Sequence, residues 1–219
     1  MRIAIFDFDG TLYSKETFQL MMDHLKEHPV HGYRYRIFFK KIMPSYLGSK
    51  IKVVPMHVMR ARSVEAYLAA LNTLSRSEME EYFSDIAAKM TDDFNQSVVD
   101  RLKKHHEDGD HVMVVSGAFT PLLNTVTAGL PIDTIIGTDI PYTNDKYDAA
   151  QKVAHVQGRM KVEKITESLG EQPIDWDNSF AYGDSHSDLP VLELVGQPVA
   201  VQPEQKLRTI ADKRSWEIL

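Results

Sequence analysis

A chain of 219 residues, 43% hydrophobic and 26% charged, can bury a substantial core and suits one large domain or a domain carrying an insertion. The absence of cysteine excludes a disulfide framework and a thiolate metal site, and no apolar run is long enough to span a bilayer. The net charge of -6 hides an asymmetry, because residues 28–64 hold eight Lys/Arg and no Asp or Glu. Such a segment points to an anionic substrate, an anionic lipid or a nucleic acid, against the plainer alternative of a solvated helical face.

The first predicted element is a strand over 2–7, inside RIAIFDF. Its apolar stretch is too short and too interrupted by charge for a secretory signal, and with the missing cysteine it gives the expectation of a soluble, cytoplasmic protein. Residues 16–91 carry helical patterns (FQLMMDHL, YRIFFKKI, VEAYLAAL, MEEYFSDIAAKM), punctuated by Pro29, Pro44, Gly48 and Pro55. SRSEMEE at 75–81 reads as a capped helix start, with Ser75 or Ser77 as the cap.

Further strands are predicted at 111–115, 132–137, 179–182 and 198–201, each bounded by turn residues. Helices are predicted at 94–107, 119–129, 159–169, 188–195 and 203–213, and a small hairpin-like excursion at 138–150. The His105-His106 pair falls near the end of a predicted helix, where it complements the helix dipole. Alternating strands and helices imply an α/β fold, a mainly parallel sheet covered on both faces, interrupted after its first strand by a helical insertion.

In open parallel sheets, ligands bind outside the carboxyl ends of the strands. Four polar stretches fall there or at a helix start. Asp7-Phe8-Asp9-Gly10-Thr11 follows the first strand, and Ser116-Gly117-Ala118 follows VMVV. Lys161 opens the helix at 159, and Gly183-Asp184-Ser185-His186-Ser187-Asp188 follows SFAY. Singly, each has a plain structural reading. Asp7 and Asp9 could form a turn, Ser116 could cap a helix, Lys161 could sit on the surface, and Asp184 and Asp188 could be a turn residue and a cap. An EF-hand is not expected, because Thr11 occupies the position of the third oxygen ligand and the remaining pattern is missing. His186 is set aside as a ligand, since a lone histidine in a loop is more often exposed.

Together, in this order, the four stretches resemble the haloacid dehalogenase superfamily, which is dominated by magnesium-dependent phosphatases. The insertion directly after DFDGT is similar to the cap of its phosphoserine-phosphatase-like branch. The resemblance implies a Rossmann-like core over 1–14 and 92–219 and a helical cap over 15–91. It implies hydrolysis of a small phosphorylated metabolite through an aspartyl-phosphate on Asp7, with the Asp9 carboxyl as general acid–base.

It also implies Mg²⁺ held by the Asp7 side chain, the Asp9 carbonyl and Asp184, with Asp188 direct or through water. Thr11, Ser116, Gly117 and Lys161 would meet the phosphate. Glu16 matches a glutamate that contacts the substrate's amino group, Arg60 and Arg62 are candidates for a carboxylate-binding arginine, and Ser187 stands where the branch has asparagine. The insertion is longer and more basic than that branch leads one to expect.

Two rival readings remain at the level of sequence. One is a binding or regulatory protein on the same scaffold, which would not need an acid–base aspartate. The other is docking to an anionic membrane or a partner through 33–62, where basic residues alternate with aromatics. A nucleic-acid partner is not expected, since only charge favours it and no motif does.

Overall fold

The computed structural model describes all 219 residues, Met1–Leu219. Its strands are β1 (Ile3–Phe6), β2 (His111–Phe119), β3 (Thr134–Thr138), β4 (Tyr142–Thr143), β5 (Lys146–Tyr147), β6 (Phe180–Gly183), β7 (Gln197–Ala200) and β8 (Glu217–Ile218). Six of them form one parallel sheet in the order β3-β2-β1-β6-β7-β8. The chain therefore runs outward from β1 to β3, crosses back, and runs outward again from β6. The direction reverses between β1 and β6, which is where such sheets open a crevice.

The helices are α1 (Thr17–Glu27), α2 (Arg34–Lys50), α3 (Met56–Ala70), α4 (Arg76–Ala87), α5 (Gln96–Glu107), α6 (Thr120–Val126), α7 (Arg159–Leu169), α8 (Leu189–Leu192) and α9 (Gln205–Arg214). Alternation along β1 sorts them between two faces. Ile3 and Ile5 join a core with Ile165 and Leu169 of α7, Val191 and Leu192 of α8, and Leu207 of α9. Ala4 and Phe6 face the other way, into a larger core with Leu102 of α5 and Leu122 of α6. That second core continues into the insertion through Met21, Leu25, Phe38, Tyr67 and Phe83. The sheet and the inserted helices α1–α4 thus share buried apolar surface.

Both faces of the sheet are covered, as the sequence predicts, and helix 159–169 has the predicted bounds. The hairpin within 138–150 is β4–β5, closed by Asn144 and Asp145 with φ of 50° and 64°, the left-handed pair that a two-residue turn requires. Ser75, not Ser77, caps α4, and it forms a reciprocal capping box with Glu78.

Several expectations need correction. Pro44 does not end a helix: α2 runs through it from Arg34 to Lys50, at the cost of one backbone bond. β2 runs on to Phe119, so α6 starts at Thr120 and ends at Val126, inside the predicted 119–129. The predicted helix 188–195 is a 3₁₀ turn at His186–Asp188 followed by the short α8. β8 was not anticipated, because two residues carry no readable period. His105 does more than complement a dipole: it is buried, with Nδ1 2.8 Å from Asp110 Oδ2 and Nε2 2.8 Å from Tyr182 Oη, and so ties α5 to β6.

The capping box yields a stability prediction. Ser75→Ala should lower unfolding free energy by about 1 kcal/mol, the usual value of such a cap. The change should appear as a lower urea midpoint at unchanged m-value.

Candidate active site

β1 hands the chain to Asp7, whose N–H still donates to Tyr182 O of β6 at 2.9 Å. Its side chain is thereby fixed at the crevice beside β6. Gly10 then turns the chain back with φ of +73°, and a Cβ there would fall 2.5 Å from Asp184 Cγ. Only glycine allows both that backbone conformation and that approach, so the first loop can close onto the loop after β6.

Lys161, on the first turn of α7, reaches into this space. Its Nζ lies 2.6 Å from Asp7 Oδ1 and 2.7 Å from Asp188 Oδ1, with all three side chains largely buried. Asp188 is held in turn by Ser185, whose Oγ donates to Oδ2 at 2.8 Å and whose N–H donates at 3.2 Å. Removing one partner from a buried ion pair typically costs about 3–5 kcal/mol, because a bare charge remains. Burial opposes the charge on Lys161, but Asp188 and Asp7 together outweigh it and raise its pKa.

The carboxylates are not balanced by one ammonium. Asp7, Asp184 and Asp188 each bring an oxygen within 4.8 Å of the others. Burial, and then mutual repulsion among these aspartates, holds Asp7 and Asp184 above the usual carboxylate range. Asp9 is pushed up to about 7, by burial first and then by repulsion from Asp7 and Glu16, against the opposing hydrogen bonds from Thr17. Both the Thr17 backbone N–H, at 3.0 Å, and its hydroxyl donate to Asp9 Oδ1. The first turn of α1 therefore orients Asp9, as free amides at a helix start suit an anion.

This arrangement fits a hard divalent cation. The cluster offers only oxygen donors, the ligand type Mg²⁺ prefers, and its excess negative charge is what a cation would offset.

A cavity of about 400 Å³ opens between the carboxyl ends of β1, β2 and β6 and the insertion. Of the residues singled out in the sequence, Asp7, Asp9, Glu16, Arg60, Ser116, Gly117, Lys161, Asp184 and Ser187 line it. Three do not. Asp188 lies behind Lys161 in a smaller pocket. Thr11 is fully buried, its Oγ1 without a hydrogen-bond partner. Arg62 points away and donates to Ser45 Oγ at 3.1 Å, leaving Arg60 as the arginine at the cavity.

Ser116 is not a helix cap. It lies within β2, its Oγ accepting from Ala118 N–H at 3.1 Å. The pairing of β2 with β3 is irregular between Val115 and Phe119, so the Ser-Gly segment is a bent strand end rather than a helix start. Lys161 is 5% exposed and so is no surface lysine, while His186 is exposed and away from the cavity.

The sequence reading missed Thr17, His155, Gln157, Met56 and Met59, all of which line the cavity. His155 Nε2 would lie 2.9 Å from a Cβ at Gly117, and its pKa is lowered to about 4 by burial, then by Arg60 and Lys161. It sits between elements, in a stretch with no periodic signal. Thr17 alone had a cue, standing at the start of a predicted helix just after an acidic residue.

Comparison with known proteins bears on this geometry. The family model for haloacid dehalogenase-like hydrolases matches residues 4–193. The chain is 25% identical over 223 residues to a histidinol-phosphatase of Neisseria meningitidis serogroup C, covering 99% of this chain and 97% of that protein. It is 24% identical over 169 residues to a phosphoserine phosphatase of Idiomarina loihiensis, covering 75% and 74%. Other curated relatives are longer, and the chain spans 58% of one and 49% of another. The crystal structure of a protein of unknown function from Bordetella pertussis Tohama I superposes with a TM-score of 0.82 at 21% identity, covering 100% of this chain and 97% of that one. At that identity the likeness speaks for the fold alone.

The excess of carboxylates sets a pH dependence. An acid whose pKa is higher folded than unfolded binds more protons in the folded state, so its contribution is fully present below about 4 and is lost as pH rises through the folded value. Without metal, stability should fall as pH rises through about 7, the value of Asp9. Partly buried histidines such as His155 act in the opposite sense, mainly below 6.5, so the slope is read above that. Thermal unfolding in chelator should show a falling Tm there, and saturating Mg²⁺ should raise Tm and flatten the slope.

Proposed function

The chain belongs to the haloacid dehalogenase-like hydrolase family, and from that premise we propose that it is a phosphatase hydrolysing a small phosphomonoester through an aspartyl-phosphate on Asp7. One observation carries this reading: Asp7, Asp184 and Asp188 converge at the carboxyl ends of β1 and β6, Lys161 bridges Asp7 and Asp188, and Asp7, Lys161 and Asp184 line one cavity with Ser116 and Gly117.

Asp7 is the nucleophile. Its Oδ1 is held by Lys161, which keeps the carboxylate in place, and the ammonium also faces incoming phosphate. The bond from phosphorus to the leaving oxygen breaks as that from phosphorus to the Asp7 oxygen forms. Asp9 donates the proton to the leaving alcohol and then takes one from the attacking water, whose oxygen bonds to phosphorus as the bond to Asp7 breaks, releasing phosphate and the free Asp7 carboxylate. A carboxyl titrating near 7 in its cavity can serve in both directions, and Thr17 fixes which oxygen is free to do so by occupying the other. Ser116 and the Gly117 amide meet phosphate oxygens at the bent end of β2.

Asp7, Asp184 and the Asp9 carbonyl would hold Mg²⁺, with Asp188 supporting the set. When bound, the metal supplies charge neutralisation and polarisation of a phosphoryl oxygen.

Residues 15–91 act as a cap that shapes specificity, and the substrate is a small phosphorylated metabolite met in the cytoplasm. Glu16 and Arg60, of opposite sign, both line the cavity and suit a substrate with a cationic and an anionic group. The relatives named as phosphoserine phosphatase and histidinol-phosphatase make compounds of those two kinds the first to assay.

Asp7→Asn should abolish Mg²⁺-dependent phosphate release from a generic phosphomonoester while the protein stays folded by circular dichroism. Asp9→Asn should lower kcat by roughly 10²–10⁴, the range for loss of a general acid–base. An unchanged rate in Asp7→Asn would remove the covalent step. No Mg²⁺-dependent release by the parent across a phosphometabolite panel would favour a binding protein instead.

A further inference from the structure

Nine of the ten exposed large hydrophobic residues lie between residues 30 and 56, the tenth being Met1. That segment is α2 with its flanking turns, up to the first residue of α3. Along α2 only Arg34, Phe38, Ile42 and Ser45 are buried, a single stripe at helical spacing. Tyr35, Met43, Gly48 and Ser49 are partly buried, and the other residues of the helix are exposed. Leu47 is 57% exposed, and Ile51 and Val53 in the following turn are each 72% exposed. Monomeric proteins rarely leave apolar side chains so concentrated in one place without a use for them.

The same surface is basic. Arg36, Lys40, Lys41, Lys50 and Lys52 are exposed, and residues 28–64 contain no acidic residue in a chain that is otherwise strongly acidic. Arg34 does not contribute, since its guanidinium is spent internally on Ala70 O and Thr73 Oγ1. Exposed cations therefore alternate with exposed Phe39, Tyr46, Leu47 and Ile51, and Lys50 already lies over the Tyr46 ring, 5.4 Å from its centroid.

We propose that this face of α2, with the turn that follows it, docks the protein on the surface of an anionic lipid bilayer. Cations draw the face to lipid headgroups, and the aromatic and aliphatic side chains enter the interfacial layer, while long lysine stems keep their ammonium groups at headgroup level. The alternatives fit less well. A second copy seated symmetrically would set five exposed cations against five of the same sign. A nucleic acid would leave Leu47, Ile51 and Val53 facing phosphates.

Docking would also place the cavity in a defined position. Met56 is both 56% exposed and part of the cavity lining, so the patch runs into the cavity mouth. No helix is long and apolar enough to cross a membrane, so the contact would be peripheral.

Vesicle flotation tests this with the full chain. At low salt the protein should float with phosphatidylcholine vesicles containing phosphatidylserine, not with phosphatidylcholine alone, and raised salt should release it. The triple variant Lys40→Glu, Lys41→Glu, Lys50→Glu should lower partition on the order of 100-fold or more, given the contribution of each near-surface cation. The pair Leu47→Ser, Ile51→Ser should lower it at unchanged charge. Circular dichroism confirms that both variants fold, and salt release of the parent provides a reading that needs no variant.

Failure to float at low salt, equal flotation with neutral vesicles, or variants that float like the parent would overturn the proposal. So would a dimer in velocity sedimentation that the Leu47→Ser, Ile51→Ser pair dissociates, since the face would then be occupied by a second copy.

Discussion

The fold is arranged around one ammonium group shared by two carboxylates. Lys161 reaches Asp7 and Asp188 from α7, and each of these residues needs a different element to be in place. Asp7 needs β1, Asp188 needs the 3₁₀ turn after β6, and Lys161 needs α7 on the opposite face from the insertion. Only a sheet with β1 beside β6, both parallel, brings these ends to one point. Six parallel strands with both faces covered bring these residues together, and a buried ion pair, a kind that apolar residues often replace at no loss of stability, stands where the proposed phosphate would be met.

The inserted helices are tied to that same point. Asp9 takes two hydrogen bonds from Thr17 at the first turn of α1, so the first residue of α1 orients a carboxyl that follows β1. From there the contact is apolar. Phe119, at the end of β2, stands 5.3 Å from the Phe83 ring and 6.4 Å from the Tyr67 ring, joining the Ser-Gly strand end to α3 and α4. Gln157 Nε2 and His57 O, at 3.4 Å, close the far rim of the cavity. A displacement of the insertion would be felt at Asp9 through Thr17 and at Gly117 through Phe119, within two or three residues in each case.

How much of this could be read beforehand follows from what a sequence encodes locally. Asp7, Ser116 and Asp184 are legible because each follows or ends a short run rich in Val, Ile, Phe or Ala, and the parallel sheet turns that position in sequence into a position in space. Lys161 is legible through the start of α7. Arg60 and Arg62 were not separable, since two residues on a helix differ by about 200° in direction and only the packing of α3 decides which one faces the cavity. His155 gave no cue, because it comes from an irregular segment whose path is set by tertiary contacts such as Val156 N–H to Thr138 Oγ1. Pro44 was misleading for a physical reason: a lost backbone bond is tolerable where the neighbouring buried stripe of Phe38, Ile42 and Ser45 holds the helix in place.

Charge is divided along the same lines as structure. The cavity itself carries Asp7, Asp9, Glu16 and Asp184 against Lys161 and Arg60, a surplus of negative charge that by itself would repel a phosphate ester. Burial lessens this by holding Asp9 near 7, and a divalent cation would lessen it further, but both act only at short range. Positive charge is concentrated on the insertion, where Arg36, Lys40, Lys41 and Lys50 of α2 are exposed and Arg60 of α3 lines the cavity. A basic patch near an acidic centre draws anions locally, within about a Debye length, without removing the carboxylates of the cavity. The same basic patch, because it also carries Leu47, Ile51 and Met56 in the open, suits an anionic surface as well as a diffusing anion, and the two uses place the cavity mouth on the same side of the molecule.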